Sequence, residues 1–192
     1  MTATYASNLQ PLDVGTVDTG DFSSWLGKPI QIGGETYIMV KAVTGGIASS
    51  MNGRQLISYV SGGVINWNVA PATGAAGTAE YYCVGAIPST LTSPITGSAY
   101  FLALRDSPGH VLSVKSEVTG GDGGINSGTV LMPAGTGSAL VPVITASLTT
   151  ITAVTSQVEN SGRRAGWALE NITSTSIVSA SVHYHAPFRG AQ

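Results

Sequence analysis

The sequence predicts an all-β protein: a compact β-barrel or sandwich of short antiparallel strands with an extended N-terminal arm. Only 9% of the 192 residues are charged and 25 are glycine, whereas roughly 25% charged residues are usual in globular proteins. Hydrophobic residues nevertheless reach 43%, which is enough apolar surface to offset the conformational entropy of the chain. Short β-rich segments also follow one another along the chain, separated by glycine and proline turns, as in barrels and sandwiches.

The strands are predicted in order from these segments. "KPIQI" and "ETYIMVKAV" flank Gly33 and Gly34, a pair typical of a tight hairpin turn. "RQLISYV" and "VINWNVA" form a second hairpin around residues 61–63. The remaining predicted strands are AEYYCVGAI, AYFLALR, HVLSVKS, GTVLMP, ALVPVIT, RAGWALE and TSIVSASVHYH. A turn at residues 107–109 is expected to separate AYFLALR from HVLSVKS. The sequence offers no convincing amphipathic helix and no internal repeat of fixed period.

Two regions are predicted, an extended arm over residues 1–27 and a β-barrel-like domain over residues 28–192. Within the domain, residues 145–162 are rich in threonine and valine, which favours a strand, but their length also allows an insertion loop. The arm is either a disordered terminus or a segment that packs on a neighbour. Its large apolar residues favour packing on a neighbour, and Leu12, Val14, Phe22 and Trp25 are the candidate contact residues.

Charge and hydropathy exclude several classes of partner. The net charge is −2 and no basic stripe is present, so nucleic acid is not expected as a partner. No apolar run approaches the ~18 residues of a membrane span, and the first residues do not resemble a signal peptide. We therefore expect a protein made in the cytoplasm. The single cysteine, Cys83, is expected to be a buried structural thiol.

The histidines near the C-terminus are the first chemical candidates. In the predicted strand "VSASVHYH", His183 and His185 share one face with Ser179 and Ser181, because alternate residues of a strand point the same way. A His-x-His pair can chelate zinc only with a third ligand, and no carboxylate lies close in sequence. A strand face turned to solvent or to a partner is the favoured interpretation, and metal binding by the pair stays an open alternative.

Other patterns favour structure over catalysis. Asp106, Ser107 and His110 are triad residue types, but all lie in one predicted turn, where a relay around a substrate cleft is not expected. The loop "GGDGGINSG" has no following lysine or helix and so does not match a phosphate-binding loop. We expect a protein that is not an enzyme and that needs no cofactor and no metal.

The order of segments resembles the small capsid decoration, or head cement, proteins of tailed bacteriophages. The resemblance covers about residues 35–185, through "ETYIMVKAV", a "VGA" strand, an aromatic strand, "GTVLMPAGTG" and "AGWAL" before the final strand. The matching residues are Tyr37, Val40, Lys41, Ala42, Val84, Gly85, Ala86, Tyr100, Phe101, Gly109, Val111, Val114, Gly128, Thr129, Leu131, Pro133, Gly135, Gly137, Ala165, Gly166, Ala168 and Leu169. The long arm and residues 145–162 depart from the pattern.

The resemblance implies a β-barrel-like domain that associates as a homotrimer and binds the major capsid protein on the outer surface of the virion. There it would stabilise the shell by bridging neighbouring capsomers, with Leu12, Val14, Phe22 and Trp25 of the arm as candidate contacts to the capsid or to a sister subunit. Two alternatives stay open: another structural β-protein of a virion, in the tail or a head fibre, and a carbohydrate-binding module with exposed aromatics such as Trp67 or Tyr82.

Overall fold

The computed structural model describes residues 11–61, 64–71, 81–91, 94–116, 125–133, 139–142, 164–174 and 176–186. The all-β prediction is confirmed: within these residues the chain forms ten strands, with only two short 3₁₀ turns, Ser23–Trp25 and Ser49–Met51. The strands are β1 (Pro29–Ile32), β2 (Glu35–Ala42), β3 (Gln55–Ser61), β4 (Val64–Pro71), β5 (Tyr81–Ala86), β6 (Tyr100–Val114), β7 (Val130–Pro133), β8 (Leu140–Pro142), β9 (Gly166–Ala168) and β10 (Val178–His185). Residues 145–162 lie outside the described part of the chain.

The strands close into two five-stranded barrels that share β6. In the first barrel the order is β2-β4-β3-β5-β6, and pairing of β6 with β2 closes the ring. In the second the order is β6-β10-β9-β7-β8, and pairing of β8 with β6 closes it. The predicted antiparallel pairing holds for most ladders, but β2–β4 and β6–β8 are parallel. β1 extends the first barrel by pairing with β2 alone.

Both barrels have the same connectivity, so the fold contains an internal repeat. We number the five strands of each barrel in chain order, β2 to β6 in the first and β6 to β10 in the second. In each barrel the first strand then pairs in parallel with the third and antiparallel with the fifth, while the second pairs with the third and the fourth. The fourth also pairs with the fifth. β6 is the fifth strand of the first barrel and the first strand of the second.

Isolated bridges and glycines repeat as well. An Ile47–Ile95 bridge in the first barrel has its counterpart in Ile125–Ile172 in the second. Gly53 donates its N–H to Ile87 as Gly128 does to Ala168, at 3.0 and 2.8 Å. The repeat was not predicted, since the sequence shows no internal repeat of fixed period. The connecting segments differ in length, so equivalent positions do not recur at one fixed spacing in sequence.

A glycine holds the fourth strand of each barrel against the fifth. A methyl group added to Gly85 would lie 2.4 Å from the carbonyl oxygen of Leu104, and one added to Gly166 would lie 1.8 Å from that of His183. Both distances are below any van der Waals contact. Only glycine permits this close approach of two backbones.

Two hydrophobic cores follow from the alternation of side chains. The interior of the first barrel contains Ile38, Val40, Phe101 and Ala103 among its buried residues. The other core fills the second barrel and continues over the outer side of β2 and β6 in the first, where Tyr37, Met39, Leu102 and Leu104 are buried. Residues on both sides of β2 are therefore buried, which explains the continuous apolar run "YIMV".

The described part of the predicted arm packs on this second core. Leu12 is buried there, and Val14, Phe22 and Trp25 pack against it while partly exposed. The ring of Phe22 meets Tyr100 edge to face, with centroids 5.7 Å apart. Backbone bridges join Asp18 to Tyr100 and Leu26 to Met39. All four candidate contact residues thus have partners within their own chain, and their contact to a capsid or a sister subunit stays a prediction.

The predicted turn at residues 107–109 is wrong, because β6 runs unbroken through it from Tyr100 to Val114. The pairing of β10 with β6 shifts there: Val182 pairs with His110 but Tyr184 pairs with Ser107. Pro108 and Gly109 form a bulge at which a proline costs no ladder hydrogen bond. The two predicted hairpins are confirmed, since β1 pairs with β2 and β3 with β4 in antiparallel register. Gly33 and Gly34 both have positive φ, as such a turn requires.

Candidate functional site

The outward face of β10 carries the two histidines, as predicted. Ala180, Val182 and Tyr184 are buried, whereas the alternate residues reach the surface. The imidazole of His183 stacks on the indole of Trp167, with centroids 3.8 Å apart and planes at 7°. His185 is exposed and its Nδ1 bonds the carboxylate of Asp106. The two histidines therefore have separate partners.

The stacked pair lies in an exposed apolar surface that contains Trp167 itself and two further side chains. Val111, Trp167 and Leu169 are 44%, 43% and 41% exposed. Trp167 pairs with His183 across β9 and β10, the N–H of Leu169 donates to Ser181, and Ser181 pairs with Val111. These contacts place Val111, Trp167, Leu169 and His183 on one continuous surface, which we call the outer patch.

The corresponding face of the first barrel is covered. Ala42 of β2 pairs with Val69 as Val114 of β6 pairs with Leu140, so Val111 corresponds to Met39. Met39 is fully buried in the core on which the arm packs, and it bridges Leu26 of the arm. The outer patch is thus the equivalent surface without a covering segment among the described residues. Apolar surface exposed in this way is typical of an interaction site.

A polar cluster lies where β2, β6 and the turn after β5 meet. Nδ1 of His110 lies 3.0 Å from Oε1 of Glu35, and Nε2 lies 3.3 Å from Oγ of Ser89. The hydroxyl of Ser107 donates to the same carboxylate oxygen at 2.5 Å, and the hydroxyl of Tyr37 donates to Oε2. The bulge in β6 aims Ser107 and His110 towards Glu35.

These hydrogen bonds determine the charge state of Glu35. Partial burial alone would raise the pKa of its carboxyl group, but the donors Ser107, Tyr37 and His110 outweigh that effect and lower the pKa below its ordinary value. The same contact and burial raise the pKa of the Tyr37 phenol. Glu35 is therefore an anion and Tyr37 a neutral donor near pH 7.

Asp106, Ser107 and His110, which were not expected to act as a triad, bond to other residues rather than to one another. Asp106 bonds His185, and Ser107 bonds Glu35 rather than His110. The residues that do complete an acid–histidine–serine chain are Glu35 and Ser89. Sequence reasoning missed them because they lie far from His110 in the chain and join it only through barrel closure.

A second polar group joins the two barrels in the interior. The hydroxyl of Tyr184 donates to Oε1 of Gln55 at 2.8 Å, and both residues are fully buried. The thiol of Cys83 lies 3.7 Å from the same oxygen. Cys83 is half-buried rather than fully buried as predicted, and desolvation raises the pKa of its thiol to about 11.

The remaining candidates give no further site within the described residues. No group of three or more His, Cys, Asp or Glu side chains there could hold a metal ion. Among the same residues no helix is long and apolar enough to cross a membrane. The indole of Trp67 packs against the backbone of Gly27. No protein-family model, curated protein or solved structure matches this chain.

Proposed function

We propose that this chain is a structural protein of a bacteriophage virion that binds the major capsid protein on the outer surface of the head. It stabilises the shell by bridging neighbouring capsomers, and it does so as a homotrimer. The proposed role is mechanical and uses binding rather than chemistry. The observation that carries the proposal is the outer patch, an exposed apolar surface on a rigid β framework.

The composition of the patch supports a protein partner. Its exposed side chains are apolar or aromatic, and the neighbouring outward residues Ser179 and Ser181 are small and uncharged. Trp is an energetically dominant anchor in many protein interfaces. Nδ1 of His183 is excluded from solvent and has no hydrogen-bond partner among the described residues.

The experiment mixes purified protein with undecorated heads of the phage that encodes it, followed by sedimentation and electron microscopy. We expect the wild type to decorate the shell and Trp167→Ser to lose at least ~10-fold in affinity, since an anchor of this type is worth more than about 1.4 kcal/mol. Val64→Ser is the matched control, because Val64 is 67% exposed and lies outside the outer patch.

The outcomes separate the proposal from its alternatives. Equal loss in both variants, or no binding by the wild type, contradicts it. Density on the tail or on fibres would assign the chain to another structural position in the virion. Binding through a neutral patch should also persist at high salt, because screening weakens only charged contacts. A single trimer mass in sedimentation equilibrium tests the oligomeric state.

A further inference from the structure

The linkage of Glu35, His110 and Ser89 follows the order of a catalytic acid–histidine–serine set. The carboxylate bonds Nδ1 of the imidazole, and Nε2 faces the serine hydroxyl, at 3.0 and 3.3 Å. A slightly long serine–histidine distance is usual in the absence of substrate. The three residues come from β2, β6 and the turn after β5, as in sets assembled by a fold rather than by one loop.

The tautomer of His110 is determined by its neighbours. The backbone N–H of Ser89 points at Nε2, also at 3.3 Å, and a backbone N–H can only donate. Nε2 therefore carries a lone pair, and the ring proton sits on Nδ1, facing Glu35. In this tautomer Nε2 accepts from the backbone N–H of Ser89 and also lies 3.3 Å from its hydroxyl, so the neutral imidazole can act as a general base on that serine.

Glu35 is held in place by more than the histidine. Ser107 and Tyr37 each donate a hydroxyl to the carboxylate, and the side chains of His110 and Glu35 are 10% and 22% exposed. An anion fixed in this way orients the imidazole and stabilises the positive charge that it acquires when it takes up a proton. In a purely structural cluster a neutral acceptor would hold the turn equally well.

We propose that Ser89 is an activated nucleophile that accepts an acyl group from short-chain esters, with His110 as its general base and Glu35 as the orienting carboxylate. Oγ of Ser89 attacks the ester carbonyl carbon while its proton passes to Nε2 of His110. The tetrahedral intermediate then collapses, the C–O bond to the alkoxide breaks, and the alkoxide leaves as the alcohol with the proton from Nε2. Water repeats the sequence on acyl-Ser89, releasing the carboxylic acid and restoring the hydroxyl.

This activity is independent of capsid binding, because Ser89 and His110 are not part of the outer patch. The test uses the full chain and two probes, a tagged fluorophosphonate and p-nitrophenyl acetate. The serine oxygen displaces fluoride from the first, and it takes the acetyl group from the second with release of p-nitrophenol. We expect one phosphonyl adduct per folded chain, located on Ser89 by peptide mass spectrometry, and no adduct on urea-unfolded protein.

Variants distinguish activation from a structural hydroxyl. Ser89→Ala should abolish labelling, His110→Ala should slow acetate hydrolysis by ~100-fold or more, and Glu35→Gln should slow it while leaving the adduct on Ser89. Ser49→Ala is the control, since Ser49 is an exposed serine of the short turn Ser49–Met51. Absence of labelling on folded wild-type protein overturns the proposal, without reference to any variant. Labelling that is equal on Ser49 and Ser89, or unaffected by His110→Ala, overturns it as well.

Discussion

Tyr184→Phe tests the hydrogen bond that joins the two barrels. The substitution removes one oxygen and keeps the ring, so no cavity larger than the hydroxyl is left in the core. Burial holds the pKa of the Tyr184 phenol well above its ordinary value, and the hydroxyl is therefore always available as a donor to Gln55. Loss of this donor leaves Oε1 of Gln55 buried with only the weak thiol donor of Cys83 at 3.7 Å.

The magnitude follows from the burial of both partners. A typical intramolecular hydrogen bond contributes about 1 kcal/mol net, but a buried acceptor left without a partner costs about 1–3 kcal/mol. Gln55 and Tyr184 are both 0% exposed, so solvent cannot replace the lost donor. We expect the free energy of unfolding to fall by about 1–3 kcal/mol, and Tm by about 2–4 °C for each kcal/mol in a chain of this size.

The assay is urea unfolding of four proteins: wild type, Tyr184→Phe, Gln55→Leu and the double variant. The double variant should be more stable than the sum of the single losses predicts, because replacing both partners by apolar groups leaves neither unsatisfied. Tyr100→Phe is the control, since Tyr100 is also buried but its hydroxyl makes no hydrogen bond with any other residue that the structure describes. A loss below about 0.5 kcal/mol for Tyr184→Phe, with additive effects in the double variant, would refute the reasoning.

Three further predictions concern backbone packing, pH and reactivity. Gly166→Ala should lower the free energy of unfolding by more than about 4 kcal/mol or prevent folding, because the added methyl group meets the backbone oxygen of His183. The control Gly45→Ala, where nothing lies within 4 Å of the added methyl group, should change the free energy of unfolding by under about 1 kcal/mol. Equal effects of the two substitutions would contradict this prediction. Since the pKa of Glu35 is lowered in the folded state, the unfolded state binds more protons in acid, and stability should be lost as the pH falls below the ordinary glutamate pKa of about 4.5. In urea unfolding at several pH values, the free energy of unfolding of Glu35→Gln should therefore fall less steeply in acid than that of the wild type. An unchanged dependence on pH would be evidence against this prediction. Cys83, with its thiol pKa at about 11, should react with iodoacetamide at pH 8 at least ~10-fold more slowly in folded than in urea-unfolded protein; similar rates would disprove this.

Features that depend on residues close together in sequence were predicted correctly. The Gly33-Gly34 hairpin was predicted because both positions need positive φ, which glycine supplies without strain. The faces of β10 were predicted because a strand alternates with period two. Both properties depend on neighbours a few residues apart, and both are confirmed in the fold.

Features that depend on contacts between residues far apart in sequence were not predicted. The proline and glycine at 108 and 109 suggested a turn, yet the long ladder with β10 keeps β6 extended and absorbs them as a bulge. The packing of Leu12, Val14, Phe22 and Trp25 on the chain's own core was not predicted, and their contact to a capsid or a sister subunit stays a prediction. The cluster of Glu35, His110 and Ser89 depends on barrel closure, so no local sequence pattern predicts it.

The strand β6 pairs with β2, β5, β10 and β8, so it is a wall of both barrels at once. No cut in the chain leaves both barrels complete, because a cut before or after β6 gives that strand to only one of them. We therefore expect the two barrels to fold and unfold as one cooperative unit, with amide protons along β6 exchanging with solvent only when the whole molecule opens. Two repeated barrels that share a strand are therefore not expected to fold and unfold independently, as repeated separate domains usually do.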